Sequence, residues 1–346
     1  MLTPQLDEFI RRMPKVELHL HLEGSIAPRT LLELAQRNGV EIPARTVAEV
    51  ERLFCFRDFG DFLGVFMNLA RAIVSGEDFA RLAYELGHDL ARQHVYYAEV
   101  MISPMQYINR GMNLLEVIEG ASAGFERAER ETGTVVKLAL DYGRQYGPEY
   151  AWQVLEIARA AMPLGVVGWS IGGNEIGYPP EPFAEVFAAA KASGLGIMAH
   201  AGEVVGPPSV WGAVDTLGAT RLGHGIHSIS DPQLLDHLRA RGVVLDICPT
   251  SNVLTGATAS WETHPLRQLF DAGIALTINS DDPTFFDTTL TDEYRRITGR
   301  FGFNADNLVS LIHNAAHAAF LPPIARDALI IRLDRAITAL RTELAV

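Results

Sequence analysis

Histidines and carboxylates gather in four short stretches of this chain: His19-Leu20-His21, His200-Ala201-Gly202-Glu203, Gly223-His224-Gly225 and Asn279-Ser280-Asp281-Asp282-Pro283. In the first, Val16, Leu18, Leu20 and Leu22 alternate with Glu17, His19, His21 and Glu23. This is the period-two pattern of a strand, which sends residues i and i+2 to one face. Two imidazoles side by side on a strand are poorly explained by packing and well explained as ligands of one metal ion. Three imidazoles and one carboxylate suit a borderline cation such as zinc, so His19, His21, His200 and Asp281 are the expected ligands. A catalytic zinc lowers the pKa of water from ~15.7 to about 7. Such a site needs a proton carrier that is not itself a ligand, and Glu203, three residues past His200, has that place. His224 and Asp282 are left to orient the water and bind substrate.

Stretches separated by up to about 260 residues meet only if the fold brings them together. From residue 95 onward the chain alternates apolar strand-like runs with helical patterns. The runs are 95–102, 134–140, 165–171, 196–200, 220–224, 243–248 and 274–279. The helical patterns Pro182 to Ser193, Pro232 to Arg241 and Pro265 to Ala272 each close at a glycine (Gly194, Gly242, Gly273), which tolerates the left-handed turn after a helix. With the histidine strand this gives eight strands and predicts a (β/α)8 TIM barrel, whose functional residues sit at the C-terminal strand ends. The four stretches fall at such ends. A Rossmann arrangement is the rival, but no Gly-x-Gly-x-x-Gly joins a strand to a helix. Residues 27–94 read as a helical insertion after the first strand. Within it Phe56, Phe59, Phe62, Phe66 and Leu69 form a stripe for core packing, with one or two available to line an apolar pocket. Nothing divides the chain, so 1–346 is expected to form a single domain.

Composition narrows the function classes. The net charge of −13, from 42 acidic and 29 basic residues, opposes binding to a nucleic-acid backbone. Two cysteines, Cys55 and Cys248, cannot build a disulfide framework and suit a reducing compartment. The N-terminus reads as a short helix rather than a signal peptide, and no apolar run is long enough to span a membrane, so the expected location is cytoplasmic. The expected partner is a small molecule, and the oligomeric state is left open.

The motifs resemble the adenosine deaminase family of the metal-dependent amidohydrolase superfamily. The resemblance is carried in family order by Pro14 to Ser25 (with His-Leu-His-Leu-Glu-Gly), Val167 to Glu175, His200-Ala201-Gly202-Glu203, Gly223-His224-Gly225, Cys248-Pro249-Thr250-Ser251-Asn252 and Ser280-Asp281-Asp282-Pro283. It implies one Zn2+ per chain on His19, His21, His200 and Asp281. It implies Glu203 as the acid that protonates purine N1 while water adds at C6, and His224 as the residue that positions and helps deprotonate the water. Substrate contacts would come from His21, Glu23, Gly173 (backbone to N3) and Asp282 (to N7). The implied reaction converts adenosine to inosine and ammonia. Adenine, or a nucleoside enlarged at the 5′ end such as aminodeoxyfutalosine, is the alternative. A metal-dependent amide or ester hydrolase on the same barrel is the rival of a different class, disfavoured because no lysine follows the middle strand to bridge two metals. A non-enzymatic barrel is a further rival, though it would have lost a ligand or the proton carrier.

Two departures from the family pattern stand out. Glu23 takes the place of a common Asp at the ribose 5′ position, where an anion repels a 5′-phosphate. Ser170 replaces an Asp often found in the strand-four signature, next to an unusual Trp169. Of the remaining histidines, His88, His94, His237 and His264 read as solvated, His313 and His317 as structural, and His227 as a candidate for the pocket border.

Overall fold

Eight parallel strands pair in chain order, β1 (Lys15–His21), β2 (Val95–Ile102), β3 (Val135–Gly143), β4 (Val166–Gly172), β5 (Gly196–Ala201), β6 (Arg221–His224), β7 (Val244–Ile247) and β8 (Ala275–Ile278). The computed structural model describes residues 2–346, and the architecture is a (β/α)8 barrel with helices packed outside the strands. The strands are buried along nearly their whole length, as parallel strands covered on both faces must be. In β4, Trp169 points outward against Phe187 and Tyr142, while Gly168, Ser170 and Gly172 occupy the alternate positions. Gly194, Gly242 and Gly273 adopt φ of +91°, +63° and +75°, as the helix-ending pattern predicts.

The barrel closes through an irregular seam between β8 and β1. His21 N–H donates to Asp281 O (2.8 Å) and Asp281 N–H to His19 O (3.2 Å). Asn279 Oδ1 accepts from the backbone of Leu18 and His19 at 2.9 and 3.1 Å. Glu17 Oε1 accepts Ser280 N–H and Oγ–H at 2.9 and 2.6 Å. The β1–β2 register slips between Glu17 and Leu20, the signature of a bulge, which re-aims side chains. Simple alternation placed Glu17 and Glu23 beside the histidines, and the structure does not. Glu17 lines a separate outer cavity with Leu20, Leu86 and Leu90, and Glu23 lies beyond the strand in the 3-10 turn Glu23–Ser25.

The insertion is less continuous than the composition of 27–94 predicts. Helices cover Pro28–Arg37, Val47–Arg52, Phe59–Leu69 and Gly76–Arg92. The first stops ahead of Gly39, which takes φ +64°, and Pro43 delays the next. Side-chain caps at Thr46, Asp58 and Ser75 start the later three, each accepting a backbone N–H three residues on.

Charge fills the barrel floor. Arg221 on β6 is buried and contacts Glu99 Oε2 on β2 (2.7 Å) and Asp246 Oδ2 on β7 (2.8 Å). Phe320 closes the floor from below, its ring 4.3 Å from the guanidinium, and its N–H donates to Glu99 at 2.6 Å. Gly196 makes room for it, since a Cβ there would strike the Phe320 ring. Truncating one partner of a buried charge network strands the others, which costs about 3–5 kcal/mol. R221M is expected to lose stability on that scale in denaturant unfolding, and a change below ~1 kcal/mol would show that the floor does not depend on the guanidinium.

Candidate active site

The predicted ligands meet at the C-terminal mouth of the barrel. Asp281 Oδ1 lies 3.2 Å from His19 Nε2 and 3.4 Å from His21 Nε2. The rings of His19 and His200 are 4.6 Å apart between centres. Ligand atoms of His19, His200, His224 and Asp281 fall within 4.8 Å of one another, and His21 reaches the same group through Asp281 and Asp282. Gly223 permits this crowding, because a Cβ there would come within 2.6 Å of His19 Cε1. Both ring nitrogens of His19, with Nδ1 of His21 and His200, are buried without a hydrogen-bond partner. Each such atom costs about 1–3 kcal/mol if nothing satisfies it. The rings of His19, His21 and His200, converging on the Asp281 carboxylate, fit a divalent cation of the zinc type.

Electrostatics favour the neutral, ligating form at two of the three imidazoles. Burial pushes His19 down to about 4 and also lowers His21. Burial opposes charge on His200 too, but Asp141, Glu203 and Asp281 outweigh it and raise that ring to about 9. At Asp281 the cost of burial is overcome by His19, His224 and His21, which hold the carboxyl well below the usual range. Two residues here, His224 (φ +61°) and Asp281 (φ +64°), adopt left-handed backbone, a strain of roughly 1–3 kcal/mol each of the kind that concentrates at functional sites.

Glu203 is buried beside this cluster, its Oε1 3.6 Å from His224 Nε2. Burial, reinforced by Asp281, pushes its carboxyl up to about 8, so it holds a proton at neutral pH. Its loop is anchored by Glu175, whose carboxylate accepts the N–H groups of Gly202 (2.7 Å), Val204 and Val205 (both 2.8 Å).

A hydrogen-bond chain fixes the tautomer of His224. Leu266 N–H can only donate, and it donates to His264 Nδ1 (3.1 Å). The neutral His264 ring therefore carries its proton on Nε2, 3.2 Å from Asn252 Oδ1. Burial pushes His264 down to about 4, which keeps it neutral. That orients the Asn252 amide, so Nδ2 donates to His224 Nδ1 at 2.9 Å. Burial also holds His224 far below the usual imidazole value. The neutral ring then presents Nε2–H, a donor, to the metal cluster.

The pocket above the cluster is lined by His21, His200, Glu203, His224, Asp281 and Asp282 at its floor and by Asp141, Gln145, Tyr146 and Gly173 at one side. Its outer wall is apolar: Phe59, Phe62, Leu63, Phe66 and Met67 from the helix Phe59–Leu69, with Met105. Three phenylalanines of the stripe thus face the pocket, more than the sequence pattern singled out. Among the described residues, no Lys or Arg lines it. Asp282 occupies the space a Cβ would take at Gly24, which accounts for the glycine of the first-strand motif. Burial and neighbouring Asp281 push the Asp282 carboxyl well above the usual range, and its Oδ1 has no partner. Gly173 takes φ +81° against Gln145. Glu23 is buried behind Ser103: its Oε1 accepts Ser103 N–H and Tyr107 O–H, both at 2.9 Å, and Oε2 is unpartnered. Burial pushes it to about 7, so it is a weaker anion than the sequence argument about a 5′-phosphate assumed.

His264 corrects another expectation, being buried in the Asn252 chain rather than solvated. Its signal was the nearby Cys-Pro-Thr-Ser-Asn motif, whose Asn252 does more than secure a loop. Asp141 was passed over altogether: it ends β3 without a motif of its own and lies 3.4 Å from His200 Nδ1. His227 is not among the pocket-lining residues. His88, His237 and His313 pair with Glu131, Asp215 and Asp334 away from the site. Cys55 and Cys248 are both free, and no helix among the described residues is long and apolar enough to cross a membrane.

Comparison with known proteins agrees with this geometry. An aminodeoxyfutalosine deaminase of Streptomyces avermitilis is 36% identical over 331 residues, covering 95% of this chain and 92% of the relative. An adenine deaminase of Caulobacter vibrioides is 35% identical over 314 residues, covering 91% of each. The crystal structure of an amidohydrolase from Burkholderia ambifaria with bound zinc superposes with a TM-score of 0.92 at 28% identity, covering 100% of this chain and 96% of that one. A family model described as adenosine deaminase matches residues 14–336. The chain belongs to the adenosine deaminase family.

Proposed function

We propose that this enzyme hydrolytically deaminates a 6-aminopurine nucleoside at C6, with one zinc ion held by His19, His21, His200 and Asp281. The observation that carries the reading is the convergence of His19, His21 and His200 on Asp281, directly beside the buried carboxyl of Glu203. When bound, zinc supplies a water acidified for nucleophilic attack.

The chain's own residues supply the rest. Glu203 donates its proton to N1 as oxygen adds to C6, which breaks the aromaticity of the ring. His224 Nε2–H donates to the entering oxygen and fixes its approach. It is a donor rather than the base that the family resemblance implied, because Asn252 occupies its lone pair at Nδ1. Glu203, now a carboxylate, takes the proton from the new C6 hydroxyl and passes it to the amino group. The C6–N bond breaks, ammonia departs with that proton and the 6-oxopurine remains, while the Glu203 carboxylate regains its proton from the next incoming water, which is thereby left as the hydroxide nucleophile. Asp282, protonated by burial, donates to N7, and the Gly173 backbone meets N3. Glu23, which lies behind Ser103 with one carboxyl oxygen open, is the sugar-hydroxyl contact that the family resemblance implies.

At the sugar end, the phenylalanine wall favours a nucleoside whose 5′ substituent carries an aryl ring, and the absence of lining cations disfavours a 5′-phosphate. We therefore put the aminodeoxyfutalosine type, with its aryl group, ahead of adenosine, the first choice from sequence. The apolar wall has no counterpart to touch in free adenine.

Three measurements test the reading. Turnover of adenine, adenosine and aminodeoxyfutalosine is followed by ammonia release and by the ultraviolet change from aminopurine to oxopurine. The highest kcat/KM is expected for the enlarged nucleoside, and silence with all three sinks the proposal. E203Q is expected to lower turnover by about 10²–10⁴-fold with metal content unchanged. N252D offers only acceptors, so it drives the His224 proton from Nε2 to Nδ1. Its kcat should fall about 10–100-fold with KM held, alongside a changed His224 tautomer in ¹⁵N NMR. An unaltered tautomer would discard the hydrogen-bond chain.

A further inference from the structure

Strand β4 is hollow on its inner side. Gly168, Ser170 and Gly172 are its inward positions, so the strand offers no carboxylate to the barrel interior. Asp141 on β3 is the register partner of Ser170. Its carboxylate occupies the space a Cβ of Gly172 would fill. From there it reaches across β4 to β5, where Asp141 Oδ1 and His200 Nδ1 stand 3.4 Å apart. Neither of these atoms has another partner, and both residues are buried. Arg144, in the 3-10 turn just past the end of β3, donates to the His200 carbonyl. The end of β3 thus holds both the backbone and the ring of His200.

We propose that Asp141 is the positioning residue of the metal centre: it holds the His200 ring by Nδ1, leaving Nε2 for the metal, and so supplies from β3 the carboxylate that is missing at Ser170 on β4. The inference rests on the metal-dependent reading above. Metal-binding histidines commonly give their second nitrogen to a carboxylate, which fixes the ring and strengthens the ligand. The two strand positions exclude each other as sites for that carboxylate. They are side by side in register, and an aspartate at 170 would set a second buried anion against Asp141. A small residue at 170 and a glycine at 172 are what a carboxylate reaching over from β3 requires.

The test relocates the group. Wild type, D141S and the exchanged double variant D141S/S170D are loaded with zinc. Metal retention is measured against a competing chelator, alongside kcat, KM and the thermal midpoint. D141S is expected to lose about 10–100-fold in zinc affinity, with kcat lowered and KM within about twofold of wild type. D141S/S170D should regain most of the lost affinity, a rescue that a merely structural role for Asp141 does not predict. Zinc affinity unchanged in D141S together with a raised KM would overturn the proposal and make Asp141 a substrate contact. Two zinc ions per wild-type chain with one in D141S would overturn it in favour of a second ion on His21, Asp141 and His200. If D141S proves too unstable to load, D141N, which keeps the shape and removes the charge, is read in the same assay. Intact affinity there would equally refute the carboxylate's role. Chelator competition needs no substrate, so it separates this inference from any failure of the assigned reaction.

Discussion

Closure of the barrel between β8 and β1 is the constraint on which the site depends. Neighbouring strands elsewhere pair as parallel ladders, some with register slips, but this seam is held by a few backbone bonds and by the side chains of Asn279 and Glu17. The residues exchanging those backbone bonds are His19, His21 and Asp281, three of the four proposed ligands. Joining the two ends of the sheet and assembling the metal cluster are therefore one event. The bulge in β1 belongs to the same device, since the slip near Glu17 sends that carboxylate outward to fasten Ser280 and leaves the histidines inward.

Crowding is the second theme of the site. Three glycines give up their Cβ space to a functional side chain: Gly223 to His19, Gly24 to Asp282 and Gly172 to Asp141. The family motifs contain these glycines for steric reasons that only the folded neighbours reveal. With so many carboxylates packed together, burial and mutual repulsion sort them by protonation. Histidines pull the Asp281 and Asp141 carboxyls down, while burial and neighbouring anions push those of Glu203 and Asp282 up. A proton donor and an anionic ligand thus coexist in one small space.

Much of this was legible in the chain because strands and ligands leave local marks. Period-two runs, glycine stops and histidine pairs each follow from a few neighbouring residues, so the eight strands and the convergence of His19, His21, His200 and Asp281 could be read. The failures share a cause as well. Whether Glu17 faces in or out is decided by a register slip against β2, and the burial of His264 by an asparagine on another segment. Asp141 becomes interesting only when β4 is seen to offer nothing larger than a serine between it and His200. These are properties of pairs of strands, and no single stretch encodes them. Trp169 is simpler, an outward core residue whose bulk is met by Phe187 and Tyr142.

Glu175 has a bearing on how the pocket exchanges its contents. Its carboxylate is committed to three amide hydrogens of the segment that bears Glu203, a charge-assisted clasp in which every bond would have to break for the segment to swing. One side of the mouth is consequently rigid. The facing side is a single helix whose contacts with the pocket are aromatic and aliphatic, without directional bonds to the catalytic floor. Side chains on that greasy side can slide over one another while Glu203 keeps its aim.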